Sequence, residues 1–161
     1  MINYVEIINI FFPMAITGCV GDSSDYNNII WYSSPILKTT LDAKEVDHAK
    51  LIKNEKIDVR TKELIDSGFT YDSIIFSLSS AAQVNWIGLK QASDSGLITF
   101  PYDITTKDDA TYSLPDSTSL TIFYATGIGT VSSRLSSGRI LKELVNSKTT
   151  VVDVEAVTDN R

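Results

Sequence analysis

The sequence is poor in the residues that build covalent and metal cross-links. Its 161 residues include one cysteine, Cys19, and one histidine, His48. A disulfide needs two cysteines, and a structural zinc site needs about four cysteine or histidine ligands. A single chain can therefore build neither. A Ser-His-Asp or Cys-His catalytic arrangement would have to use His48 as its base.

Basic charge is also scarce. The chain has 14 lysine and arginine residues against 20 aspartate and glutamate residues, which gives a formal net charge of -6 and an isoelectric point near 4.7. Half of the basic residues lie between Lys38 and Lys62, where acidic residues are interleaved with them. Binding to nucleic acid relies on a cluster of lysine and arginine that neutralises phosphates. The composition therefore predicts no nucleic-acid partner.

Long apolar runs are missing as well. No stretch of about 18 consecutive apolar residues occurs, so the sequence predicts no membrane span. Residues 16–19 (ITGC) resemble the lipobox of bacterial lipoproteins, but the preceding segment has Glu6 and no lysine or arginine, and Pro13 interrupts it. A signal peptide normally begins with positive charge. We therefore expect Cys19 to be a small buried apolar residue, and a lipoprotein is the least favoured interpretation.

The N-terminal residues are rich in β-branched and aromatic side chains, which favour strands. This composition predicts an extended segment over residues 1–10, with Ile2, Tyr4, Ile7 and Ile8 among its apolar side chains. A second short strand is predicted over residues 29–32. We expect these two strands to pair with each other or with a neighbouring chain.

A long helix is predicted next, from Thr39 or Thr40 to Ser67, because the glycine at position 68 is a common helix end. Its apolar residues cover about half of the helix circumference at 100° per residue. Three basic residues interrupt that apolar stripe: Lys53, Lys56 and Arg60. An independent coiled coil is therefore not expected.

The remainder of the chain alternates small hairpins with helices. Strands are predicted over residues 69–71 and 74–76, and over 97–105 and 110–114. One helix is predicted from Ser80, which with Gln83 has the pattern of a capping box, to about Gly96. The longest helical pattern begins after the cap residue Asp116, and a short last helix is predicted after the cap residue Thr150. The sequence thus predicts an α+β fold. A mainly helical C-terminal domain of three to four helices and two small β-hairpins follows a strand-rich N-terminal segment and a long helix. The expected divisions are residues 1–38, 39–67 and 68–161.

Candidate ligand-binding and catalytic residues are few. His48 lies next to Asp47 in the most charged part of a predicted helix, and we expect it to be exposed to solvent. Three acidic residues near a predicted turn offer oxygen ligands for Ca²⁺, but they lack the EF-hand spacing, and a solvated turn accounts for them: Asp103, Asp108 and Asp109.

Glycine and arginine residues of the second half give no stronger signal. A helical segment contains Gly127, Gly129 and Gly138, which lack the context of a dinucleotide-binding loop and indicate close helix packing or a helix break. Trp86 is expected in the core, Arg60 is expected to pair with an acid, and neither forms a catalytic set with Arg139. The sequence therefore assigns no catalytic, cofactor-binding or metal-binding residue, and it predicts no enzymatic activity.

Several short stretches follow one another in a recognisable order after residue 56. They are residues 57–65 (IDVRTKELI), 68–72 (GFTYD), 76–79 (FSLS), 82–86 (AQVNW), 100–101 (FP), 112–114 (YSL), 123–124 (FY), 137–139 (SGR) and 157–161 (VTDNR). In this order they resemble a small domain of unassigned activity that occurs in tail-fibre, baseplate and fibre-assembly proteins of tailed bacteriophages. The likeness covers about two-thirds of the chain and carries over no functional residue.

The resemblance implies a bacteriophage virion structural protein, made in the host cytoplasm, that acts as an adaptor in a tail, baseplate or tail fibre. Its N-terminal strands would add to a neighbour's sheet edge. The rotational symmetry of a tail implies a cyclic homo-oligomer in the assembly. A tail-fibre assembly chaperone is the alternative function. No cofactor and no membrane contact is expected, and the expected partner contacts are Ile2, Tyr4, Ile7, Ile8 and Trp31.

Overall fold

A computed structural model describes residues 3–15 and 17–161 and shows an α+β protein, which confirms the predicted fold class. The chain forms two compact units. Unit 1 contains Met1–Lys56 and Leu141–Arg161, and unit 2 contains Ile57–Ile140. These bounds differ from the expected divisions after residues 38 and 67, because the last part of the chain groups with the first part.

The N-terminal segment is a helix, so the strand expected over residues 1–10 is wrong. Helix α1 spans Tyr4–Phe11, and the Asn3 side chain caps it by accepting a hydrogen bond of 3.1 Å from the Glu6 N–H. Its buried residues Tyr4, Ile7 and Ile8 follow the helical spacing of three and four. The cap and this spacing outweigh the strand propensity of isoleucine. Ile2, which was expected to contact a partner, lies outside the described residues.

A small hairpin follows α1 in unit 1. Strand β1 (Thr17–Cys19) pairs antiparallel with β2 (Ile29–Trp31), so that Cys19 lies opposite Ile29. The predicted strand at residues 29–31 is confirmed, but its partner is β1 and not the N-terminal ten residues. Cys19 is half-buried rather than buried, and it packs at the margin of the α1 core.

The long helix expected from Thr39 to Ser67 is two helices. Helix α2 spans Lys38–Asp42, and α3 spans Glu45–Asp66, with a tight turn at residues 43–44 between them. The predicted end at Gly68 is confirmed, since its φ of 89° is readily accessible to glycine. A Cβ atom at Gly68 would also come within 2.3 Å of the Phe76 carbonyl oxygen.

Unit 2 continues with the predicted hairpin. Strand β3 (Phe69–Tyr71) pairs antiparallel with β4 (Ile74–Phe76) across a turn in which Asp72 and Ser73 both have positive φ. Helix α4 spans Ser80–Asp94 and is capped by Ser79, one residue before the predicted cap. The Gln83 amide donates to the Leu78 carbonyl at 2.7 Å, so the expected reciprocal cap from Ser80 does not form.

The second hairpin and the last helices agree with the predicted pattern. Strand β5 (Tyr102–Thr105) is shorter than expected and pairs antiparallel with β6 (Thr111–Leu114). Helix α5 spans Ser117–Asn146, and the Asp116 carboxylate caps it by accepting from the Ser119 N–H at 2.7 Å. Helix α6 (Val151–Glu155) is capped by Thr150, as predicted.

An aromatic cluster forms the core of unit 2. The Phe123 ring centroid lies 4.8 Å from that of Phe76 and 5.2 Å from those of both Phe69 and Trp86. Trp86 is 8% exposed, which confirms its predicted place in the core. Gly127 packs directly against this cluster, which is the close-packing role expected for it.

Candidate protein-docking groove

Unit 2 has an open groove of about 1030 Å³ between α4 and β5. One wall is a face of α4, the other is β5 with the turn that follows it, and Ile98 lies on the segment between them. A concave site with mixed apolar and polar walls is the usual form of a binding site. We refer to this site, between α4 and Tyr102–Thr105, as the docking groove.

The β5 wall presents its backbone edge to the groove. Among the described residues that line the groove, β5 contributes all of its residues from Tyr102 to Thr105, and β6 contributes none. Successive side chains of a strand point to opposite faces. A whole run of consecutive residues therefore lines a groove when the edge of the strand, rather than one face, is turned towards it.

The hydrogen-bond pattern of the hairpin shows which groups of that edge are available. The Thr106 N–H donates to the Ala110 carbonyl at 2.8 Å, so these two residues form a hydrogen-bonded pair at the turn. Such pairs alternate along an antiparallel ladder. Asp103 and Thr105 therefore occupy the intervening positions, and their N–H and C=O groups point away from β6. The next outward position, Lys107, is already paired, because its N–H donates to the Ile75 carbonyl at 2.9 Å.

The α4 wall carries a row of small or short residues beside the larger Val84, Trp86 and Leu89. Ala81, Asn85, Gly88 and Ala92 line the groove at spacings of four, three and four residues, which places them on one face of the helix. A Cβ atom added at Gly88 would have no heavy atom within 4 Å. The groove is therefore open at this position, and a backbone can approach the helix closely.

The floor of the groove belongs to the core. Trp86 and Ile104 line the groove while remaining 8% and 9% exposed, and both are members of the buried cluster of unit 2. Ile98 and Tyr102 are partly buried beside them. Because these side chains are held by packing, the groove has a preformed apolar floor.

The charge of the groove is negative. Its described lining contains three charged residues, Asp103, Lys107 and Asp109. The Lys107 ammonium is already engaged, because it donates to the carbonyl groups of Asp66 and Ser67 at 2.8 and 2.9 Å. The carboxylates of Asp103 and Asp109 make no hydrogen bond or ion pair with the residues that the structure describes.

The residues expected to contact a partner lie elsewhere and are mostly buried. Tyr4, Ile7 and Ile8 are at most 2% exposed within unit 1, and Trp31 is partly buried against the same cluster. They form the core of the N-terminal helix and hairpin, and their contact with a partner stays a prediction. Strand addition through residues 1–10 is excluded for the described part of that segment, because it is helical.

His48 is buried, which corrects the expectation of a solvent-exposed side chain. It is 7% exposed and lines a cavity of about 550 Å³ in unit 1. Its Nε2 atom lies 3.4 Å from Glu6 Oε1, and this buried nitrogen makes no hydrogen bond with the described residues. The described lining of this cavity contains no serine, threonine or cysteine, so it places no hydroxyl or thiol nucleophile beside His48.

The remaining candidates do not form a reactive site. Arg60 pairs with Glu63 on its own helix at 3.2 Å, while Trp86 lies in the core. Within residues 3–15 and 17–161, no group of three or more histidine, cysteine, aspartate or glutamate residues has a geometry that could hold a metal ion. None of the helices described is long and apolar enough to cross a membrane.

Comparison with known proteins gives no relative. No family model, curated protein or solved structure matches this chain.

The docking groove was not predicted from the sequence, although two of its signals are visible there. Gly88 interrupts an otherwise good helix, and small residues recur beside it at helical spacing, which is a pattern of close approach.

Proposed function

We propose that this chain is a structural docking protein of a tailed-bacteriophage virion, which joins tail, baseplate or fibre subunits and catalyses no reaction. The observation that carries this proposal is the docking groove, which β5, unpaired on its outer edge at Asp103 and Thr105, and a row of small residues on α4 both line. Main-chain groups of a partner can pair with such an edge without any specialised side chain. The site thus has the parts of a binding surface.

The assignment to a phage tail rests on the sequence resemblance. Its stretches supply the scaffold of unit 2: Phe69, Phe76, Trp86 and Phe123 all belong to them and form the aromatic core. The resemblance therefore concerns the framework that holds α4 beside β5. Tail organelles are rotationally symmetric, so we propose that several copies of the chain take equivalent places in the virion.

Intact-protein mass spectrometry of purified phage particles, with copy counting, tests this proposal. A species of the mass of this chain at a fixed stoichiometry would support a virion component and give its symmetry class. Abundance in infected cells together with absence from particles would replace the proposal with a fibre-assembly chaperone. A lipid-modified species that begins at Cys19 would contradict both.

A further inference from the structure

We infer that the docking groove binds an extended, basic segment of a partner protein, which adds to β5 as a third strand. This inference rests on the proposed docking function and specifies the partner's chemistry. The groove offers three separate features that such a segment would match: the backbone edge, the apolar floor and the unpaired carboxylates. Each feature restricts one property of the occupant.

The backbone edge restricts the conformation of the occupant. The outward N–H and C=O groups of Asp103 and Thr105 are spaced for a strand, since they are two residues apart along β5. An extended segment can pair with them, whereas a helix satisfies its own backbone groups internally. Because Gly88 has no Cβ and open space beside it, the wall of α4 leaves room for this added backbone.

The apolar floor restricts the side chains on one face of the bound segment. Alternate residues of an added strand would face the partly buried surface of Trp86, Ile98 and Ile104. Those residues would be apolar, while the residues between them would face solvent. A two-residue periodicity in the partner is thus a direct consequence of the geometry.

The carboxylates of Asp103 and Asp109 restrict the charge of the bound segment. Asp103 and Asp109 flank the β5 wall without a cationic partner among the described residues, because Lys107 is engaged by backbone carbonyl groups. A lysine or arginine of the occupant would complement them, and an acidic segment would be repelled. A second copy of this chain fits less well, since its net charge is -6.

A displayed library of short random-sequence peptides, selected on the purified full-length chain, tests the inference. We expect enrichment of peptides that alternate apolar and polar residues and carry lysine or arginine. The Gly88→Leu variant places a side chain in the groove and should weaken binding of a selected peptide at least about tenfold. The matched control is Gly129→Leu, a helix glycine that also has nothing within 4 Å and lies outside the groove lining.

Two further measurements separate strand addition from other modes of binding. N-methylation of alternate peptide nitrogens should abolish binding for the set that faces β5 and leave it for the other set. Asp103→Asn should weaken binding about two- to fivefold and reduce its dependence on salt. If Gly88→Leu unfolds thermally at or above the wild-type midpoint, its weaker peptide binding is a local effect in the groove and does not come from loss of the fold.

The inference is overturned if no peptide is enriched, if enriched peptides are acidic, or if Gly88→Leu binds them as the wild type does. It is also overturned if the chain forms an oligomer in solution that Gly88→Leu dissociates, because the occupant is then a second copy. Failure of the proposed function is a different result, namely the absence of the chain from particles. The chain can be present in virions while every peptide test fails.

Discussion

Gly127 lies against the indole of Trp86, so closely that a Cβ atom at position 127 would be 3.1 Å from Trp86 Cζ3. The same atom would be 3.2 Å from Phe69 Cζ. Replacing glycine by alanine in a helix normally stabilises it by about 1 kcal/mol. Here the added methyl group must displace two packed rings, and overpacking costs about 1–3 kcal/mol. We therefore expect Gly127→Ala to lower the free energy of unfolding by about 1 kcal/mol.

The matched control for this prediction is Gly129→Ala, two residues further along α5. No heavy atom lies within 4 Å of the added Cβ there, so the variant should gain up to about 1 kcal/mol from helix propensity alone. Urea unfolding of both variants measures the difference. Equal effects at the two positions would show that the α5 face at Gly127 is not packed against Trp86.

Trp86 itself should be a major contributor to stability. Its ring centroid lies 5.3 Å from that of Phe69 and 5.2 Å from that of Phe123, and the residue is 8% exposed. Trp86→Ala is expected to cost about 3–5 kcal/mol, the usual loss for a large aromatic residue in a core. Denaturant titration provides the measurement. A midpoint that does not change would place the indole at the surface.

The N-terminal segment shows why composition alone gave the wrong secondary structure. Its isoleucine residues favour a strand by propensity, yet Tyr4, Ile7 and Ile8 have helical spacing, and Asn3 with Glu6 three residues later forms a capping pattern. Spacing and capping are stronger signals than β-branched content. Applied to the same residues, they predict α1 and place Tyr4, Ile7 and Ile8 on its buried face.

Elements with a local start and stop were predictable. The β3–β4 hairpin, the end of α3 at Gly68 and the caps at Asp116 and Thr150 depend on residues close in sequence. The docking groove depends instead on how α4 packs beside β5. No local pattern specifies that β5 and α4 line one groove, because tertiary packing decides it.

The hydrogen bonds of Asp42 give unit 1 a predictable dependence on pH. The Lys38 ammonium and the Tyr4 hydroxyl donate to its carboxylate at 2.7 and 2.8 Å, and they hold the pKa of that carboxyl below its usual value. A carboxyl group with a lowered folded-state pKa stabilises the fold above its unfolded pKa of about 3.9. That contribution is lost as the pH falls through the folded-state pKa.

Asp42→Asn removes this contribution. The variant should therefore be less stable than the wild type near neutral pH, and the difference should shrink as the solution is acidified below about pH 4. Unfolding by urea at a series of pH values measures it. A difference that stays constant, or grows, towards acid would contradict the role given to Asp42.

His48 should contribute little to stability despite its burial. A buried polar atom without a hydrogen bond is costly, and His48 Nε2 makes none with the described residues, since its 3.4 Å contact with Glu6 Oε1 is not a hydrogen bond. We expect His48→Leu to leave the free energy of unfolding within about 1 kcal/mol of the wild type, or to raise it. The contrasting variant is Leu41→Ala, which removes a fully buried apolar side chain and should cost about 2–5 kcal/mol. Losses of similar size in both would show that His48 makes a stabilising contact.

The copy number of the chain in purified phage particles, compared between Gly88→Leu and Gly129→Leu, tests the central claim most directly. Both variants add the same side chain to a helix at a position with open space, and Gly88 alone of the two lines the groove. If the chain is held in the virion through its docking groove, Gly129→Leu will be present at the wild-type copy number and Gly88→Leu will be lost from particles. Incorporation of Gly88→Leu at the wild-type copy number would contradict the claim.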